Sequence, residues 1–315
     1  MSALDEFAAD VRAGLGRHGQ KELPPRYLYD DLGSALFEAI CLLPEYGLWR
    51  AGSRLLRRHA TEIAENAQPP LRVVEMGSGS GGNTRVLLEA LARRAPVTYH
   101  PIDVSDAAIR RCTEELRALA DVEVRPIQDT FLPGLQRAAR ERVSADRLLV
   151  LFLGGTIGNF DRTAAARFIA DVRRAILPGD LLLLAADLDK PASALLPAYD
   201  DALGVTAAFN RNVLVRINRE LYGDFDPALF DHVARWDERE RRIEMHLRSR
   251  VDQVAHVASD GLRVEFRAGE TIWTESSYRF SESEIARMGE AAGFDRIVSW
   301  VDEEWPFVQT LLRAR

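Results

Sequence analysis

The 315 residues carry a net charge of −7 and are 47% hydrophobic, enough for one large core or two moderate ones. The acids and arginines are interspersed, so neither a nucleic-acid nor a membrane partner is expected. Two cysteines far apart, Cys41 and Cys112, and six scattered histidines predict no disulfide framework and no metal, and fit a reducing cytoplasm.

In chain order, the first residues, MSALDEFAADVRAGLG, are amphipathic and acidic, unlike a signal peptide. No apolar run approaches the roughly eighteen residues that cross a bilayer. Residues 1–60 form a helical, turn-punctuated segment containing YLYDDLGSALFEAICLLPEYGLW. Strands follow at 71–77, 97–104, 122–128, 147–154 and 180–187, separated by amphipathic helices such as TRVLLEALARRA and RTAAARFIADVRRAIL. Near-continuous apolar strands alternating with such helices predict an α/β fold with a doubly wound, mostly parallel sheet. Ligands of such sheets sit at the carboxyl ends of the strands, near the switch point. Residues 190–280 break the alternation: AYDDALGVTAAFNRNVLVRINRELYGDFD is followed by two strand-like runs, RIEMHLRSRVDQVAHVA and GLRVEFRAGETIWTESSYRF. A helix, SESEIARMGEAAGF, and two strands, RIVSWVDE and FVQTLLRA, then return to the sheet. The expected organisation is one domain from 61–189 and 281–315 and a second, smaller one from 1–60 and 190–280. The lysines Lys21 and Lys190 are the only two, which leaves almost no place for a Walker or Schiff-base lysine.

The stretch VVEMGSGSGGNTR runs from strand to glycine cluster to helix. Gly77, Gly79 and Gly82 fit the dinucleotide spacing G-x-G-x-x-G. Gly77, Gly79 and Gly81, with Glu75 ahead of them, fit E-x-G-x-G-x-G equally well, which is the pattern of S-adenosylmethionine (SAM) sites. Asp103, ending the second strand, is a ribose-binding acid under either reading. Glu75 can accept from a methionyl amine, and Asp129, after the third strand, is placed for an adenine amino group. With the closing hairpin after AAGF, these favour SAM. The strand end LFLGGTIGNF brings open backbone at Gly154 and an amide at Asn159, either a polar substrate contact or a helix cap.

Together YLYDDLGSALFEAICLLPEY, EMGSGSGGNTR, LFLGGTIGNF, AYDDALGVTAAFNRNVL, RIEMHLR and TESSYRF resemble the L-histidine Nα-methyltransferases of ergothioneine biosynthesis, from about residue 20 to the C-terminus. The resemblance implies a SAM-dependent, monomeric enzyme that trimethylates the α-amino group of histidine to hercynine. It implies that Asn159 and Tyr199 hold the substrate carboxylate, while Glu275 and Ser277 hold the imidazole. Tyr29 lies at the amine as the catalytic residue; Phe37, Tyr46 and Met245 form pocket wall, with Tyr46 also on the cofactor side. Gly154 and Thr156 line the substrate cleft, and Glu75, Gly77, Gly79, Asn83, Asp103, Asp129 and Thr130 surround SAM. Each aromatic residue, and Met245, is also an ordinary core candidate. Asn83 stands where the family usually has a basic residue, and GLWR (47–50) where it has an aromatic followed by Thr-Arg-Thr-Glu. Two SAM-binding alternatives are a methyltransferase for another amino acid and a non-catalytic sensor. An NAD-dependent oxidoreductase is the third, and would need a hydride-site acid or base.

Overall fold

The computed structural model describes residues 3–143 and 146–315. They divide into two compact units, Met1–Tyr46 with Pro191–Ser277, and Gly47–Lys190 with Tyr278–Arg315. The chain therefore passes between them three times. Among the described residues, no helix is long and apolar enough to cross a membrane.

The larger unit, Gly47–Lys190 with Tyr278–Arg315, is built on a sheet in the order Phe294–Asp302, Phe307–Ala314, Leu181–Asp187, Arg147–Phe152, Leu71–Met76, Val97–Asp103, Val122–Val124, with Ile127–Gln128 also on the Val97–Asp103 strand. The strands from Leu71 to Asp187 run parallel. Phe307–Ala314 enters antiparallel beside Leu181–Asp187 and pairs with the outer strand Phe294–Asp302. This is a doubly wound, Rossmann-like order with one strand inserted antiparallel. All six residues of Leu71–Met76 and all seven of Leu181–Asp187 are buried, which requires cover on both faces and explains the unbroken apolar run from Leu181 to Ala186. One side of the core gathers Val74, Met76, Ile102, Val150, Phe152 and Leu184 with Phe168, Ile169 and Leu312.

Two sequence expectations are refined here. The expected strand 122–128 is two short pieces interrupted at Pro126, which has no N–H to give to the ladder. The expected domain break at 60 falls inside the helix Gly47–Asn66. Leu48, Ala51, Leu55, Leu56, Ala60 and Ile63 recur at helical spacing on its buried face, and the helix packs on Arg85–Ala92 and the last two strands.

The smaller unit, Met1–Tyr46 with Pro191–Ser277, holds a four-stranded sheet in the order Lys21–Glu22, Thr271–Tyr278, Arg242–Ser249, Phe230–Asp237. A separate antiparallel ribbon pairs Gln253–Val257 with Leu262–Phe266. Helix Asp31–Leu42 packs on helix Val205–Leu221. Asp30 fixes that pair: it caps the first helix through the Gly33 N–H at 2.8 Å and accepts from Asn212 (2.6 Å) and Arg219 (2.7 Å) of the second. The strand Phe230–Asp237 was not anticipated. It lies at the sheet edge, and only its first residue is fully buried, so FDHVARWD shows no alternation of apolar and polar residues.

Candidate active site

In the larger unit, the residues assigned to the cofactor gather at the carboxyl ends of the parallel strands. Leu71–Met76 runs into a turn where Gly77, Gly79 and Gly81 adopt φ of +78°, +52° and +75°, a region closed to most side chains. The Gly79 N–H donates to Asp103 Oδ2 at 3.2 Å, and the Ser105 N–H to Asp103 Oδ1 at 3.0 Å. Burial raises the Asp103 pKa, against the pull of the Ser105, Gly79 and Val104 N–H groups. Pairing of Asp103 with Gln128 brings the next residue alongside, and the Asp129 N–H donates to the Asp103 carbonyl at 3.1 Å. Asp129 Oδ1 accepts from the Thr130 N–H at 2.8 Å, and Thr130 opens helix Phe131–Arg140. Asn83 is half-buried at the far end of the turn.

These residues fit SAM on their own evidence. A Cβ added at Gly79 would meet nothing within 4 Å, so its bare backbone faces open space and is not forced by packing. The Asp103 carboxylate adjoins that backbone and Asp129 follows at the next strand end; carboxylates suit ribose hydroxyls and an adenine amine and are ill-suited to a pyrophosphate.

Glu75 sits deeper than the sequence suggests. It is buried, and Thr84 Oγ1 donates to it at 2.8 Å while Tyr99 Oη donates to Oε2 at 2.5 Å. Burial raises its pKa to about 7, in opposition to the Tyr99 and Thr84 hydrogen bonds, with a further upward push from Asp103. A methionyl amine would have to share oxygens that already accept from two hydroxyls.

At the end of Arg147–Phe152, Gly154 has φ +67°, and Thr156–Asn159 form a single 3-10 turn. The next helix, Arg162–Ala175, is capped by Asp161 through the Ala164 N–H, so the cap role considered for Asn159 is filled by another residue. Gly47 also acquires a reason: a Cβ there would lie 2.3 Å from Trp305 Cε3. Trp305 is held by its indole N–H on Asp187 Oδ1 at 2.9 Å, and Asp187 also accepts from Lys190 at 2.5 Å and forms an ion pair with Arg279, Oδ2 to Nε at 3.0 Å. The departure at GLWR thus matches a tryptophan that fills the space beside position 47.

In the smaller unit the residues assigned to the substrate converge. Tyr199 Oη and Ser277 Oγ share a hydrogen bond of 2.8 Å. Ring centroids run from Tyr29 to Phe37 (5.5 Å), Phe37 to Tyr46 (6.2 Å) and Tyr46 to Tyr199 (6.2 Å). Burial holds the Tyr46 hydroxyl well above its usual pKa, and nearby Tyr199, Cys41, Tyr29 and Glu275 push the same way. Glu275 is 8% exposed on the Thr271–Tyr278 strand. Met245 is buried on the next strand and its carbonyl accepts from Thr274 Oγ1 at 2.9 Å. Tyr29, Phe37, Tyr46, Tyr199, Met245, Glu275 and Ser277 all belong to this unit, whereas Asn159, Gly154 and Thr156 belong to the larger one.

Residues 7–314 match the family model described as "Histidine-specific methyltransferase, SAM-dependent". The chain belongs to this family. It is 42% identical over 301 residues to the histidine N-alpha-methyltransferase of Mycobacterium tuberculosis, covering 95% of this chain and 92% of that protein. To the enzyme of the same name from Mycolicibacterium smegmatis it is 41% identical, covering 97% and 94%. A match of 29% identity to ergothioneine biosynthesis protein 1 of Schizosaccharomyces pombe covers 87% of this chain and 36% of that one. Among solved structures, magnesium protoporphyrin IX methyltransferase from Synechocystis PCC 6803 aligns with 92% of this chain and 97% of its own at a TM-score of 0.48 and 13% identity.

As a member of this family the chain is a SAM-dependent amino-acid N-methyltransferase. Its geometry adds residues that sequence reading missed. Thr84 and Tyr99 hold Glu75, and Phe209 lies 5.3 Å from the Tyr29 ring and 6.0 Å from Phe37, backing both. Phe209 stands within the quoted string AYDDALGVTAAFNRNVL, so a signal was present there. Tyr99 carried none.

Proposed function

We propose that this chain transfers three methyl groups from SAM to the α-amino group of L-histidine, forming hercynine, the first step towards ergothioneine. The observation that carries the reading is the joined pair Tyr199–Ser277, with Glu275 on the same strand as Ser277 and a run of aromatic rings beside it. Tyr199 takes the carboxylate. Glu275 accepts one imidazole N–H, and the Ser277 hydroxyl answers the other ring nitrogen. Gly77, Gly79, Asp103 and Asp129 hold the cofactor, with Glu75 supporting the turn through Thr84.

SAM, when bound, supplies an electrophilic methyl group on a sulfonium. The protein's share is positioning and exclusion of water. The substrate ammonium must first lose a proton, which passes to solvent, and Tyr29 Oη orients the amine by accepting from one of its N–H groups. After each of the first two transfers the methylated ammonium must again lose a proton before the next, and only the quaternary product of the third has none to lose, so a base serves the early steps but cannot hold the final cation. Tyr29, Phe37 and Tyr46 instead give the growing cation aromatic faces to lie against. We infer a cytoplasmic monomer acting on a small molecule, without nucleic-acid or membrane partners.

The test is incubation with SAM and each amino acid singly, followed by mass spectrometry. Histidine should gain three methyl groups with no accumulation from leucine or phenylalanine. Turnover of another amino acid with none of histidine would overturn the substrate assignment, and binding of SAM without any product would make the protein a sensor.

A further inference from the structure

Tyr199 is the last residue of helix Ala192–Tyr199, and the carbonyls of a helix's last turn have no partner within the helix. Its carbonyl is met by His232 Nε2 at 2.7 Å, from the edge strand Phe230–Asp237. The other ring nitrogen, Nδ1, lies 2.9 Å from Asn210 Nδ2, and the same Nδ2 donates to the His246 carbonyl at 3.1 Å. Asn210 is fully buried.

This chain of contacts determines the histidine's tautomer. The His246 carbonyl is only an acceptor, so the nitrogen of the Asn210 amide must face it; turning the amide round would set two acceptors against each other. An amide nitrogen only donates, so His232 Nδ1 must be bare. The ring's single proton is then on Nε2, pointing at the Tyr199 carbonyl. Burial lowers the His232 pKa, consistent with a neutral ring. The hydroxyl of the same Tyr199 is the one bonded to Ser277.

We propose that His232 is a positioning residue for substrate recognition: as its Nε2–H tautomer it ties down the end of the helix that presents Tyr199, and so fixes the Tyr199–Ser277 pair. The inference rests on the reading of Tyr199 as a ligand of the substrate carboxylate. Asn210 belongs to the same device, since it leaves Nδ1 bare while the Tyr199 carbonyl takes the Nε2 proton. Loss of the tie weakens binding of substrate and transition state equally, which raises KM and spares kcat.

The test compares His232→Leu, His232→Gln and Tyr199→Phe in the full-length protein, with KM and kcat for histidine and the affinity for S-adenosylhomocysteine. His232→Leu should raise the histidine KM about ten-fold, the scale of one lost hydrogen bond to a binding group. The kcat and the S-adenosylhomocysteine affinity should stay within about two-fold, because neither depends on where Tyr199 stands. His232→Gln should recover most of the KM, since its amide N–H reaches from the same backbone position as Nε2–H, whereas a loss of packing alone would not be recovered. In the wild type, ¹⁵N-histidine NMR should show a ring protonated on Nε2 and bare on Nδ1, with its signals missing from His232→Gln. Equal KM values in the Leu and Gln variants, or a ring protonated on Nδ1, would overturn the proposal. A raised KM in Tyr199→Phe with none in His232→Leu would overturn it while leaving the carboxylate reading intact. An unchanged KM in Tyr199→Phe would overturn both.

Discussion

The glycine turn offers a perturbation that separates a ligand-facing residue from a packing one two positions away. Gly79 and Gly81 both have positive φ, and placing alanine in the left-handed region costs about 1–2 kcal/mol. Part of that is offset, by roughly 0.4–1 kcal/mol, because alanine also restricts the unfolded chain. At Gly79 nothing further is added, since the new methyl meets no atom within 4 Å. Gly79→Ala should therefore lose only about 1 kcal/mol of stability, yet its methyl enters the space where the cofactor must approach backbone. Affinity for S-adenosylhomocysteine should fall at least about ten-fold, or about 1.4 kcal/mol. At Gly81 the methyl would lie 2.7 Å from Cys112 Sγ. Overpacking of a core costs about 1–3 kcal/mol more, so Gly81→Ala should be the less stable protein by that margin. Adding Cys112→Ala to Gly81→Ala removes the obstructing sulfur and should return most of the excess, a coupling that a double-mutant cycle measures directly. Urea midpoints give the stabilities and calorimetry gives the affinities. Unchanged affinity in Gly79→Ala would refute the turn as the cofactor cradle, and strict additivity at Gly81 and Cys112 would refute the packing argument.

Glu275→Ala should lower kcat/KM for histidine and shrink its ratio to that for tryptophan, because a site built to bond a substrate N–H can reject analogues lacking it by roughly 10⁴-fold. A constant ratio in the variant would make Glu275 a structural acid. Glu75→Gln should change how stability varies with pH. With its pKa raised to about 7 by burial, the folded protein keeps a proton between about pH 4.5 and 7 that the unfolded chain has released. That contribution is complete below about pH 4.5 and is lost as pH rises through 7, on the order of 3 kcal/mol in all. Glutamine does not titrate, so Glu75→Gln should gain on the wild type between pH 5 and pH 8 in denaturant midpoints. Parallel pH profiles would show that Glu75 is ionised throughout.

The parts legible in the sequence share one property: their information is local. Runs such as RLLVLF and LLLLAAD report strands covered on both faces, and the cofactor turn is written in consecutive residues. The edge strand Phe230–Asp237 was illegible because a half-solvated edge imposes no clean alternation on its residues. The sequence leaves Asn159 open between a cap and a substrate contact, since asparagine and aspartate suit a cap equally, and only the structure gives the cap of Arg162–Ala175 to Asp161. The substrate residues are a different case. Tyr29, Tyr199 and Ser277 are separated by tens of residues, and only likeness to a family, carried by long strings, put them together.

Glu75 shows where local information runs out. Its position at a strand end ahead of the glycines is plain in the sequence, and a carboxylate there suits an amine. Its actual partners follow from register. Val73 pairs with Tyr99 across the parallel ladder, and Val73 and Glu75, two residues apart, share a face. Tyr99 therefore stands diagonally beside Glu75 on that face, close enough for its hydroxyl to reach the carboxylate. Thr84 completes the set from the other end of the turn. A shift of one residue in that pairing would move Tyr99 to the opposite face and leave a buried carboxylate with one hydroxyl partner fewer, at a cost of about 1–3 kcal/mol or more. The acid that reads as a ligand contact thus also selects the register of the two strands whose ends bind the cofactor. An amine arriving at Glu75 would meet a carboxylate already oriented by Thr84 and Tyr99.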